Sequence, residues 1–101
     1  MQLNMEKESN PEEFYDKLRL QLEETTSWPS EYLYKFIVHT NLAKIEQIHF
    51  IFNDMGAVIS TKKSKNGKYT SVSINVRMAD PNAVIAKYKQ VGKEVDGVIS
   101  L

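Results

Sequence analysis

The chain contains no cysteine, which excludes disulfides, thiolate metal sites and a cysteine nucleophile. It carries no net charge: thirteen basic side chains balance thirteen acidic ones. The clear basic excess usual in dedicated nucleic-acid-binding domains is therefore missing. Long apolar runs are missing too. The stretch Ile48 to Phe52 is interrupted within a few residues, far short of the roughly 20 needed to cross a bilayer. The opening MQLNMEKESN has no basic start, apolar stretch or small-residue cleavage site. Nothing in it reads as an export signal, so a cytoplasmic protein is expected.

What is present suits one small soluble fold. At 101 residues a chain removes roughly two-thirds of its unfolded-state surface from water and needs no covalent staple. Charge is unevenly placed. Residues 1–31 hold Glu6, Glu8, Glu12, Glu13, Asp16, Glu23, Glu24 and Glu31 against Lys7, Lys17 and Arg19, so an acidic lead segment precedes a mildly basic body.

Asn10, Pro11 and Glu13 stand as cap, first helical residue and third-position acid, a pattern that predicts a helix start. Phe14, Leu18 and Leu22, with Tyr15 beside Phe14, mark one face of that helix to about Glu24. Pro29 and the turn-forming serines around it break the pattern. YLYKFIVHT, Tyr32 to Thr40, is aromatic and β-branched and predicts a strand. Tyr32, Tyr34, Phe36 and Val38 share one face; Leu33, Lys35, Ile37 and His39 share the wetter one. Asn41 then caps a predicted helix over Leu42 to Met55, with Gly56 as its stop. AVISTKK and KYTSVSINVRM are two strands joined at Asn66-Gly67, a pair that supplies the positive φ angles of a tight hairpin. Asp80-Pro81 opens a further helix, with Val84, Ile85, Tyr88 and Val91 inward and Gly92 as its end. GVISL closes the chain as a last strand.

After the lead helix the order is β-α-β-β-α-β. With right-handed crossovers this is the ferredoxin-like arrangement, an α+β fold whose four-stranded antiparallel sheet has helices on one face and the other face open. The extra N-terminal amphipathic helix precedes it. The organisation expected is residues 1–27 as acidic helix and linker and residues 28–101 as the domain. Leu33 and Ile37 on the open face offer a place for Phe14, Leu18 and Leu22 to bury, which would set the acidic side of the lead helix near the basic hairpin. Trp28 would pin the linker beside that face.

No acid, base and nucleophile converge at a recognisable spacing, so the sequence predicts neither an enzyme nor a cofactor nor a metal site. His49 reads as a partly buried structural histidine and His39 as a solvent-facing strand residue. The strongest candidate site is the hairpin: Lys62, Lys63, Lys65 and Lys68 fall within seven residues, close enough to attract a phosphate or carboxylate. The competing reading is that these lysines only blunt an edge strand against aggregation. Tyr69, Lys35 and Arg77 lie on the same open face and complete the candidate set. RNA-recognition domains share this topology and stack bases on central-strand aromatics. Here Tyr69 is followed by Ser71 where such a motif wants a second aromatic.

Two segments carry a family resemblance. WPSEYLYKFI, Trp28 to Ile37, and SKNGKYTSVSINV, Ser64 to Val76, resemble the first-strand approach and the hairpin of the small bacterial YbeD-like family, a domain of unknown function. The similarity runs in order over residues 28–101. It implies a ferredoxin-like fold close to ACT regulatory domains, in small cytosolic proteins with no established enzymatic activity. ACT-like domains commonly pair and bind small metabolites, often using a glycine between the first strand and first helix. This chain has HTNLA there, without a glycine.

The function expected is a non-enzymatic regulatory or interaction domain. Its partner would be a protein or a small anionic ligand, with homodimers possible and no membrane role. The alternative is a single-stranded nucleic-acid binder using the same face.

Overall fold

The computed structural model describes residues 11–101; Asn10, expected to cap the first helix, lies outside them. Helix α1 spans Pro11–Thr25, with Glu12 and Glu13 in its first turn, where carboxylates complement the helix dipole. Tyr15, Leu18 and Leu22 are its buried residues. Tyr15 thus replaces Phe14, which is only partly buried, on the inward stripe.

Strand β1, Ser30–His39, forms with β3, Tyr69–Met78, the centre of the sheet. The register runs from Ser30 opposite Met78 to His39 opposite Tyr69. Strand β2, Val58–Lys63, covers the far edge of β3, and β4, Ile99–Ser100, lies beside β1. The resulting order β2-β3-β1-β4, all antiparallel, is the predicted ferredoxin-like sheet. The two-residue period of a strand puts alternate side chains on opposite faces. Tyr34, Phe36 and Val38 of β1 and Val72, Ile74, Val76 and Met78 of β3 are buried, as their alternation requires.

Helices α2, Leu42–Ile51, and α3, Pro81–Glu94, cover this inner face. Each begins on a side-chain cap. Asn41 Oδ1 accepts from the Lys44 N–H at 3.1 Å, and Asp80 Oδ1 accepts from the Ala83 N–H at 2.8 Å, so one orphan donor at each helix start is satisfied. Between the layers Tyr34 packs against Tyr88 at 4.9 Å and Phe52 at 5.1 Å between ring centroids. The phenols are not left unpaired: Tyr34 donates to the Val84 carbonyl at 3.1 Å, and the Tyr32 and Tyr88 hydroxyls share a hydrogen bond of 2.8 Å. Among the described residues, no buried side-chain polar atom lacks a partner.

Several expectations are corrected. Helix α2 ends at Ile51 and not Met55. Its last turn tightens, with the Phe52 and Asn53 amides donating to His49 and Phe50, and Asp54 then takes a left-handed φ of 60° before Gly56 at 70°. His49 is exposed, because the inward stripe is Ile48, Ile51 and Phe52. Gly92 lies inside α3, which continues to Glu94. The last strand is two residues long, with one further bond from the Leu101 N–H to the Lys35 carbonyl at 2.9 Å.

The lead helix does not cover the open sheet face. It packs against α3, where Glu12 meets Lys89 at 3.0 Å and the same ammonium sits 5.3 Å from the Tyr15 ring centroid. The physical reason is that Tyr15, Leu18 and Leu22 join the same apolar cluster as the sheet and the two other helices, which offers more contact than the sparse apolar residues of the outer face. Leu33 consequently remains exposed. Trp28 pins the linker to α1, its indole N–H donating to the Leu22 carbonyl at 3.1 Å.

Candidate anion site at the hairpin

The β2–β3 connection closes through Ser64 and Tyr69. The Ser64 N–H donates to the Tyr69 carbonyl at 2.8 Å, and the Gly67 N–H donates to the Ser64 carbonyl at 2.8 Å. Of the expected Asn66-Gly67 pair, only Gly67 has a positive φ, 74°. Asn66 acts through its side chain: Oδ1 accepts from the Lys68 N–H at 3.0 Å and from the Ser64 hydroxyl at 3.1 Å. An Asx-type bond of this kind stabilises a turn without a left-handed asparagine. The Tyr69 N–H donates in turn to Ser64 Oγ at 3.0 Å. The turn is thus fixed by backbone groups and the Ser64 and Asn66 side chains, and the lysine ammonium groups are not used in building it.

Two bonds tie the hairpin base to the end of β1. The Thr40 N–H donates to the Lys68 carbonyl at 2.9 Å, and the Thr40 and Thr70 hydroxyls are 2.9 Å apart. This junction sets His39 directly opposite Tyr69, their rings 4.6 Å apart and inclined by 36°. Lys68 Nζ lies 5.6 Å from the Tyr69 centroid, within cation–π range. Beside this pair is a shallow hollow of about 180 Å³, lined by Ile37, Lys62, Lys63, Ser64, Tyr69 and Ser71. Pockets for drug-sized ligands run to roughly 300–1,000 Å³, so this hollow is smaller than those.

The electrostatic setting is one-sided. The ion pairs among the described residues are Lys17 with Glu13, Arg19 with Asp16, and Lys89 with Glu12. Lys62, Lys63, Lys65 and Lys68 take part in none of them, and the stretch from Ser60 to Val76 contains no acid.

The candidate residues are not all brought together. Lys62, Lys63 and Tyr69 line the hollow, and Lys65 and Lys68 are exposed at the tip above it. Lys35 is exposed near the middle of the open face, opposite Ser73. Arg77 is on the correct face but opposite Glu31, at the far end of β3. Eight residues at about 3.4 Å each put it roughly 27 Å from Tyr69. Ile37, His39, Ser64 and Ser71 were absent from the sequence-derived set. Alternation places Ile37, His39 and Ser71 on the outer face, the β1–β3 register sets His39 beside Tyr69, and the fold of the turn brings in Ser64.

A second hollow, about 510 Å³, runs along the outer side of α2 past Leu42, Ile45, Glu46, His49, Phe50 and Asn53. Among the described residues, no group of three or more His, Asp or Glu side chains could hold a metal ion, and no helix is long and apolar enough to cross a membrane.

No curated protein and no solved structure matches the chain. A family model does match, over residues 23–99, and it takes in β1, the hairpin and α3 while leaving out most of α1. The YbeD-like resemblance of the two quoted segments falls within that span. The chain belongs to this family, described as protein of unknown function (DUF493).

Proposed function

We propose that the protein is a non-enzymatic regulatory or interaction domain of the cytoplasm that recognises an anionic group at the base of its β2–β3 hairpin. The group is a phosphate or carboxylate, carried by a small metabolite or by an acidic segment of a protein partner. The observation that supports this most is the placement of Lys62 and Lys63 on a hollow with Tyr69, with no carboxylate paired to either lysine among the described residues. An ammonium without a fixed counter-charge needs no internal pair broken before it binds an anion.

The test is titration of the full chain with inorganic phosphate, citrate and an acidic peptide, followed by NMR. Shifts confined to residues 37–39, 62–64 and 68–71 are expected, and Lys62→Glu with Lys63→Glu should abolish them without altering the remaining spectrum. Equal binding by the doubly reversed variant sinks the assignment.

The exposed His39–Tyr69 ring pair favours a second reading, single-stranded nucleic acid held by stacking and lysine contacts. That reading predicts binding that weakens steeply with salt and is lost in Tyr69→Ala. No shift with mixed oligonucleotides at low salt removes it.

A further inference from the structure

The two edges of the sheet are finished differently. Strand β2 carries Lys62 and Lys63 on its exposed edge, a common guard against strand-to-strand association. At the other edge β1 is ten residues long, but β4 pairs only with Phe36 and Ile37. Beyond the bond from the Leu101 N–H to the Lys35 carbonyl, residues 30–34 pair with β3 on one side and have no described strand on the other.

The direction of the free groups follows from two hydrogen bonds. The Thr40 N–H turns toward β3, to the Lys68 carbonyl, and the Lys35 carbonyl turns the opposite way, to Leu101. Backbone groups in an antiparallel strand alternate sides, so odd-numbered residues of β1 point outward. Glu31 and Leu33 therefore present N–H and C=O groups at the open edge, the Glu31 carbonyl also accepting from the Ser30 hydroxyl at 3.2 Å. Leu33 is 62% exposed and stands between Glu31 and Lys35 on the outer face.

We propose that a second copy of this chain pairs here, β1 against β1, antiparallel about a two-fold axis at Tyr32. The vacant stretch, residues 30–34, is the same length as the stretch that would fill it, and its centre is Tyr32. In that register Glu31 of each copy lies opposite Leu33 of the other, and their outward groups form four backbone hydrogen bonds. Tyr32 faces its own symmetry mate as the non-hydrogen-bonded pair. The last strand residue of the incoming copy, Ser30, lies opposite Tyr34, one position short of the Lys35 carbonyl that bonds Leu101, and the chain bends at Trp28 and Pro29 just before it.

Charge is compatible with the same register. Glu31 lies diagonally across from both Lys35 and Glu31 of the other copy, and Arg77 is beside each Glu31 within its own sheet, so the two carboxylates meet with cations next to them. A two-fold contact of this kind closes on itself and does not propagate into a fibre. It also leaves the hairpins free. His39 is seven residues from the axis, about 24 Å at 3.4 Å per residue, so the two hollows sit roughly 50 Å apart.

Sedimentation of the full chain over a range of concentrations tests the pairing. The expected result is a reversible dimer for the wild type and a monomer for Leu33→Pro, which removes an N–H that makes no bond to β3. Because a proline can disturb β1 itself, cysteine cross-linking gives an independent reading in a chain without native cysteine. Opposed residues of a hydrogen-bonded pair are about 5.5 Å apart at Cα, within disulfide range. Mixed E31C and L33C chains should thus cross-link with each other in preference to either alone. A wild type that stays monomeric at its highest soluble concentration overturns the proposal. So does a dimer that cross-links through V58C on β2 and not through positions 31 and 33.

Discussion

The hydroxyl of Tyr34, in the middle of β1, donates to the carbonyl of Val84, in the first turn of α3, at 3.1 Å. That bond crosses the whole interior, from sheet to helix layer, in a region where Tyr34 is fully buried. Its neighbours Tyr32 and Tyr88 form a second phenol bond close by, so the core is polar at chosen points and apolar around them.

Alkaline pH should act on this cluster. Burial pushes the ionisation of Tyr32, Tyr34 and Tyr88 above the ordinary 10.0. Unfolded phenols lose their protons near pH 10 while the folded ones keep theirs, so above that pH the unfolded state binds fewer protons. The tyrosines' contribution is fully present below about pH 10 and falls as pH rises beyond it. Urea midpoints at about pH 8 and about pH 11 should differ more in the wild type than in a Tyr34→Phe, Tyr88→Phe variant. Equal pH dependence in the two proteins refutes this.

Helix α1 makes a separate, quantitative prediction. Leu18 is 3% exposed and Leu20 is 55% exposed, two residues apart on the same helix. Leu18→Ala should cost about 2–5 kcal/mol, and Leu20→Ala less than about 0.5 kcal/mol. If denaturation curves place the two variants together, α1 is not packed as described.

Two glycines should respond in opposite directions to alanine. Gly92 lies within α3, and a Cβ there would meet nothing within 4 Å. Gly92→Ala should stabilise by about 0.5–1 kcal/mol, since alanine loses less backbone freedom in a helix. Gly67 is equally uncrowded but has a φ of 74°. Gly67→Ala should destabilise by about 1–2 kcal/mol through backbone conformation alone. Melting temperatures that move the same way for both variants would contradict this contrast.

Asn66 Oδ1 is one of two side-chain oxygens, with Ser64 Oγ, that hold the hairpin tip. Asn66→Ala removes the acceptor for the Lys68 N–H and the Ser64 hydroxyl and should cost about 1 kcal/mol. Hydrogen exchange at Lys68 and Tyr69 should accelerate, with exchange in α3 unchanged. Asn66→Asp, which keeps an oxygen acceptor, should restore most of the protection; its failure to do so would mean the bond is not what holds the turn.

The alternation of β1 and β3 was legible in the sequence because it depends on a two-residue period and on large contrasts, as between Tyr34 and Lys35. The caps at Asn41 and Asp80 were legible for a similar reason: each is a local contact within three residues. The end of α2 was not, because it depends on Asp54 adopting a left-handed φ that its residue type permits but does not demand. The docking of α1 on α3 was also hidden. The apolar stripe of an amphipathic helix specifies a need for burial and not an address. At the candidate site, alternation grouped Arg77 with Tyr69 correctly as to face, but strand length separates them. The His39–Tyr69 pair required the register, a long-range property that neither segment carries by itself.

Trp28 is the only tryptophan in the sequence, and its indole N–H is held by the carbonyl of Leu22 at the junction of α1 with the rest of the protein. The molecule therefore has a native optical probe at the seam between the lead helix and the sheet. Intrinsic fluorescence would register detachment of α1 as a distinct event, without a label, while far-ultraviolet ellipticity followed the sheet and the two other helices.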